Sequence, residues 1–137
     1  MEREEVEAII RKLEGIYSYK VNLSFSNPHG NIRAEFRPPD KITVFNPIIT
    51  TPYHEYGHLV YHKLHKKLGI KGTSEQFAQR FSIMWLNLER YNFHCICGSQ
   101  AFIPARAYKD DLGLICLSCG RKYKLVDRKR LITHHNP

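Results

Sequence analysis

Two histidines one helical turn apart set the strongest demand on how this chain folds: His54 and His58, in the run His54-Glu55-Tyr56-Gly57-His58. For both imidazoles to grip one ion, the segment must be helical. Four residues at roughly 100° each leave the side chains about 40° apart around the axis and about 6 Å apart along it. Glu55 then projects beside the pair, where its carboxylate can accept a proton from water. That combination suits metal-assisted amide hydrolysis, and a catalytic ion needs a third protein ligand from elsewhere in the chain.

The flanking sequence supplies the helix. Thr51 reads as its N-cap, with Pro52 at the first helical position, and Gly69 stops it after about residue 68. Past Gly72, Thr73-Ser74-Glu75-Gln76 reads as a capping box. It opens a second helix to about Tyr91, with Phe77, Phe81, Met84, Trp85 and Leu88 on one face. Upstream, residues 2–13 carry Val6, Ile9, Ile10 and Leu13 at helical spacing, with Gly15 as a stop. Alternating segments follow around Val21-Asn22-Leu23-Ser24-Phe25, Ile32-Arg33-Ala34-Glu35-Phe36 and Lys41-Ile42-Thr43-Val44-Phe45. Turn formers separate them, which predicts a small antiparallel meander. Residues 42–45 are expected to run alongside an extended substrate.

His62 and His65 share the motif helix. His65 lies about 10 Å beyond His58 along the axis, too far to share an ion with bonds of about 2.1 Å, and both read as part of a polar helix face. Glu75 is better placed, in the first turn of the next helix, after a turn that can fold it back; the bland alternative is a surface glutamate serving that helix N-terminus. The run Glu75-Gln76-Phe77-Ala78-Gln79-Arg80-Phe81 resembles the Glu-x-x-Ala-(Asp/Asn)-x-Phe signature of gluzincin-type peptidases, including the minimal gluzincins and the ImmA/IrrE-like metallopeptidases. The resemblance covers roughly residues 41–82. It implies a zincin-like core with catalytic zinc on His54, His58 and Glu75 and with Glu55 as general base. Ala78 lets the two helices approach closely. Gln79 stands where the family has Asp or Asn, and Pro52 is unusual two residues before the first histidine. Candidate oxyanion donors are Tyr53, Tyr56, Arg80, Tyr91 and His94, and the sequence selects none of them.

Four cysteines form two close pairs, Cys95/Cys97 and Cys116/Cys119, each followed by a glycine. This reads as a zinc ribbon in which two β-knuckles close a structural four-cysteine site; disulfides are the alternative, disfavoured without an export signal. The expected fold class is α+β, a zincin-like core plus this β-rich ribbon. The core holds the N-terminal helix, a small antiparallel sheet, the motif helix and the following helix. The expected domains are residues 1–92 for the core, 93–127 for the ribbon and 128–137 for a basic, flexible tail, with two Zn²⁺ per chain.

The net charge of +8 is uneven: residues 93–137 hold 8 Lys/Arg against 3 Asp/Glu, residues 1–92 hold 13 against 10. Arg106, Lys109, Arg121, Lys122 and Lys124, mixed with Phe102, Tyr108 and Tyr123, can contact phosphates and stack on bases, although the same mixture also builds an ordinary half-buried sheet. A zinc-motif core followed by a basic ribbon resembles the SprT/Spartan-like proteases, which implies protein substrates associated with DNA. Their third ligand, a histidine in a His-Gly context, has no counterpart here. No apolar run approaches a membrane span, and the acidic start is unlike a secretory signal, so a cytoplasmic protein with no membrane partner is expected. The leading expectation is a zinc metallopeptidase acting on protein or peptide. The alternatives are a non-catalytic DNA- or protein-binding module on the same scaffold, and a latent, zymogen-like protease.

Overall fold

A computed structural model describes residues 1–108, 111–126 and 130–134. Helix α1 (Arg3–Tyr17) buries Val6, Ile10, Leu13 and Tyr17. It runs through Gly15 instead of stopping before it. A glycine costs a helix about 1 kcal/mol, whereas burying a ring such as that of Tyr17 stabilises by roughly 1.5–3 kcal/mol, so burial wins. Ser18, left-handed at φ 68°, ends the helix and donates its N–H to Glu14 O. The buried Glu14 carboxylate accepts from Val21 N–H at 2.7 Å and from Arg11 Nη1 at 2.8 Å, fixing where the chain leaves the helix.

Strands β1 (Asn22–Phe25), β2 (Ala34–Arg37) and β3 (Lys41–Val44) form a sheet in the order β1-β3-β2. β2 and β3 are antiparallel with Phe36 opposite Ile42, as expected of a short reversal through Pro38-Pro39-Asp40. β1 pairs with β3 in parallel, Leu23 opposite Ile42, so the sheet is mixed and the expected antiparallel meander is corrected. Alternating polarity marks a strand that buries one face but is identical for both pairing directions, so it could not have distinguished them. β3 is central, its backbone already paired on both sides. It cannot run beside a substrate as expected; the open edges belong to β1 and β2, and β2 is the one whose residues line the cavity described below.

Helix α2 (Thr51–Leu68) carries the motif and ends at left-handed Gly69, φ 65°. Its N-cap is Thr50, one residue earlier than expected, because Thr51 Oγ1 instead accepts the Ile48 N–H at 2.9 Å. Helix α3 (Ser74–Tyr91) opens with the expected capping box: Gln76 N–H donates to Thr73 Oγ1 at 3.1 Å, and Thr73 N–H to Gln76 Oε1 at 3.0 Å. Tyr17, Tyr56 and Phe81 meet in the core with centroids 5.5–6.4 Å apart.

Four further strands, β4 (Phe102–Tyr108), β5 (Asp111–Cys116), β6 (Lys122–Val126) and β7 (Arg130–His134), form an antiparallel sheet in chain order. Part of the segment expected to trail as a tail thus supplies a strand. The chain is α+β, three helices with two small sheets among the described residues, and it divides into two compact units, residues 1–82 and 83–137. Among the described residues no helix is long and apolar enough to cross a membrane.

Candidate metal centres

α2 presents two faces. Tyr53, Tyr56, Leu59, Val60 and Leu64 point into the core, while His54, His58, Tyr61, His62 and His65 line a cavity of about 770 Å³. β2, with Phe36 at its centre, and the start of α3 complete its walls. Glu75, in the first turn of α3, folds back onto the histidines as the sequence predicts. One carboxylate oxygen lies 2.9 Å from His54 Nε2 and the other 3.1 Å from His58 Nε2. Ligand atoms of His54, Glu55 and His58 all fall within 4.8 Å of one another.

Each side chain here is held. His58 Nδ1 bonds Ser74 Oγ at 2.6 Å, which leaves Nε2 directed at Glu75. Burial, together with the neighbouring His54 ring, lowers the pKa of His58 despite the opposing charge of Glu75, so its neutral, lone-pair form is favoured. Phe36 stacks on the His58 ring at 6.3 Å. Glu55 is only 6% exposed. Burial first, then the charges of Glu75 and Glu35, push its carboxyl up to about 7. Ser74 is a partner that the sequence does not single out. The family pattern points to residue 79 instead, where Gln79 is exposed, although Ser74 adjoins Glu75 inside the capping box.

The donor set fits a small divalent cation. Tetrahedral bonds of about 2.1 Å to N and O set donor separations near ~3.4 Å, so the carboxylate need move only a few tenths of an ångström from where it bridges the rings. Of the oxyanion candidates within residues 1–82, Tyr53, Tyr56 and Arg80, none lines the cavity. Tyr53 and Tyr56 are buried, Tyr56 Oη donating to Tyr19 O at 2.7 Å.

Close helix packing delivers Glu75. Gly57 of α2 lies against Ala78 of α3, and a Cβ at residue 57 would meet Ala78 Cα at 2.9 Å and Phe81 Cβ at 3.0 Å. Neither atom can swing away, so the helices would have to part. Gly57→Ala is expected to destabilise by about 1–3 kcal/mol, despite alanine's higher helix propensity, and to weaken metal binding as Glu75 shifts. Thermal melts and a zinc titration check this; a more stable variant would show that the helices do not meet this closely.

In the second unit, ligand atoms of Cys95, Cys97, Cys116 and Cys119 also lie within 4.8 Å of one another, and all four cysteines are free thiols. The Cys95–Cys119 and Cys97–Cys116 sulfurs are 3.4 and 3.7 Å apart. Four thiolates at about 2.3 Å from one ion would be ~3.8 Å apart. Left-handed glycines make both turns, Gly98 N–H donating to Cys95 O and Gly120 N–H to Cys116 O, each at 2.8 Å. The Arg121 backbone N–H, then its guanidinium 3.4 Å away, hold Cys119 down at about 6. Tyr123 Oη donates to Cys95 Sγ at 3.1 Å and accepts from Ile96 N–H. Phe102 and Tyr123 are therefore core residues, as in the half-buried sheet that the sequence also allows. Lys122 is exposed, Lys124 and Arg121 are half-buried, Arg106 lies in β4, and Lys109 falls outside the described residues.

The chain thus contains two separate clusters able to hold metal ions, one of His and Glu and one of four cysteines. No protein-family model matches the sequence, and no curated protein or solved structure matches it either.

Proposed function

We propose that this chain is a small zinc-dependent peptidase of gluzincin type, carrying a second, structural zinc in a C-terminal four-cysteine ribbon. The observation behind this reading is the convergence of His54, His58 and Glu75, with buried Glu55 beside them, in an open cavity walled by the free edge of β2. His54 Nε2, His58 Nε2 and the Glu75 carboxylate would hold the catalytic ion. A zinc ion there supplies Lewis acidity toward a scissile carbonyl and acidifies water.

The protein's own groups do the rest. The outer N–H and C=O groups of β2 hold an extended polypeptide by backbone hydrogen bonds. Glu55, buried beside the ligands, takes the proton of the attacking water and returns it to the leaving amine. Ser74 and Phe36 keep His58 oriented. The Lys/Arg excess of residues 93–137 supports a polyanion partner, and with it protein substrates bound to nucleic acid.

The test is cleavage of heat-denatured casein by zinc-loaded protein. Cleavage is expected to disappear with a chelator and to return when zinc is added back. Chelator-resistant cleavage, or none from fully loaded protein, would favour a binding module on this scaffold.

A further inference from the structure

A peptidase needs a donor for the carbonyl oxygen as it gains charge, and that donor must sit in the cavity with a free N–H or O–H. Most polar side chains of the wall are committed. Tyr61 Oη donates to Gly72 O at 2.8 Å, and His65 Nδ1 bonds Tyr61 O at 2.8 Å. Ser74 serves His58 and Thr51 Oγ1 accepts the Ile48 N–H, while Arg33 turns one N–H toward Asn46 O at 3.5 Å and keeps its other donors. His62 differs. It lines the same cavity, its ring is exposed, and it makes no hydrogen bond among the described residues.

Its position is defined by packing. Helical spacing sets it one turn beyond His58, about 6 Å along the axis. The Phe36 ring borders both imidazoles, 6.3 Å from His58 and 6.1 Å from His62. No hydrogen bond or ion pair ties His62 to Glu75, unlike His54 and His58, so it is a neighbour of that cluster and not a member.

Resting on the peptidase reading, we propose that His62 is the oxyanion-stabilising residue, donating a ring N–H to the carbonyl oxygen of a substrate laid along β2. It keeps its proton throughout; only a hydrogen bond forms and strengthens as charge develops on the oxygen. This gives α2 three tasks on one face, with ligands at His54 and His58, the base at Glu55 and the electrophile at His62.

The experiment compares wild type, His62→Phe, His62→Gln and Glu55→Gln, all zinc-loaded. Zinc content and melting temperature are expected to be unchanged by the His62 variants, since the ring is exposed and holds no ligand position. His62→Phe is expected to lower kcat on denatured casein by about 10²–10³-fold with KM almost unchanged, and His62→Gln, which keeps an N–H, to recover roughly tenfold of the loss. Affinity for a peptide phosphonamidate, whose tetrahedral oxyanion mimics the transition state, is expected to fall in parallel. Equal phosphonamidate affinity in wild type and His62→Phe, within about threefold, overturns the proposal. Chelator-resistant cleavage, or none from zinc-loaded wild type, refutes the peptidase reading and the oxyanion role of His62 with it, whereas chelator-sensitive cleavage with equal phosphonamidate affinities overturns the role of His62 alone.

Discussion

Removing zinc from the four-cysteine cluster is expected to unfold the second sheet outright. Among the residues whose burial is described, the large apolar side chains that this sheet encloses are chiefly Phe102, Ile103, Leu114 and Tyr123. Burying a ring or a branched side chain contributes roughly 1.5–3 kcal/mol, while ordering each residue of four strands costs about 1–2 kcal/mol in backbone entropy. Such a sheet cannot stand on its core alone. Structural zinc in a small thiolate site is worth about 10–16 kcal/mol at neutral pH, enough to reverse the balance. Wild-type protein is expected to carry two zinc ions per chain by elemental analysis. Cys116→Ser is expected to lose one ion and to open residues 93–134 to limited proteolysis. His58→Ala is expected to lose the other ion and leave that segment protected. Two ions retained in Cys116→Ser, or continued protection after chelation, would exclude the four cysteines as a metal-dependent fold.

What the sequence made legible was what it specifies locally. The Thr73–Gln76 box satisfies orphan helix donors with partners three residues away, and its presence alone placed Glu75 in the first turn of α3. Gly69 ends α2 because only a left-handed residue closes that helix there. Strand partners are a different matter. Leu23 and Phe36 both flank Ile42, one in parallel and one antiparallel, and nothing in their own segments encodes that difference. For Tyr53 and Tyr56 the helix period already carries the information that their rings are buried. Tyr53, Tyr56, Val60 and Leu64 recur on the buried face of α2, while His54, His58, Tyr61, His62 and His65 occupy the other.

The spacing also explains why a chain this short can hold such a site. One helix supplies two imidazoles and a carboxylate, and the next supplies, from adjacent positions, Glu75 against both rings and Ser74 bonded to His58. A three-residue turn, 71–73, joins the helix-ending segment at Gly69 and Ile70 to the capping box. The Gly57–Ala78 contact lets the two helices approach.

Glu55→Gln is expected to separate the chemistry from the fold. The carboxyl is buried, and its folded value of about 7 stands above the ordinary 4.5. The native state therefore holds that proton more tightly than the unfolded chain does. The stability this contributes is complete below pH 4.5 and is lost as pH rises through 7. Metal-free wild type should lose about 1–3 kcal/mol across that window in urea melts, and the uncharged amide should flatten the slope and leave the variant the more stable protein near neutrality. Glu14, held low by Arg11 and the Val21 N–H against the effect of its burial, acts oppositely, below its ordinary range, so the two are separable by pH. With zinc bound, the same amide has the shape of the carboxyl but cannot accept a proton from water. Casein cleavage should fall by about 10²–10⁴-fold with zinc content unchanged. A variant that is both more stable and inactive identifies a group retained for catalysis at the expense of the fold; one that cleaves at the wild-type rate would show that the proton leaves by another route.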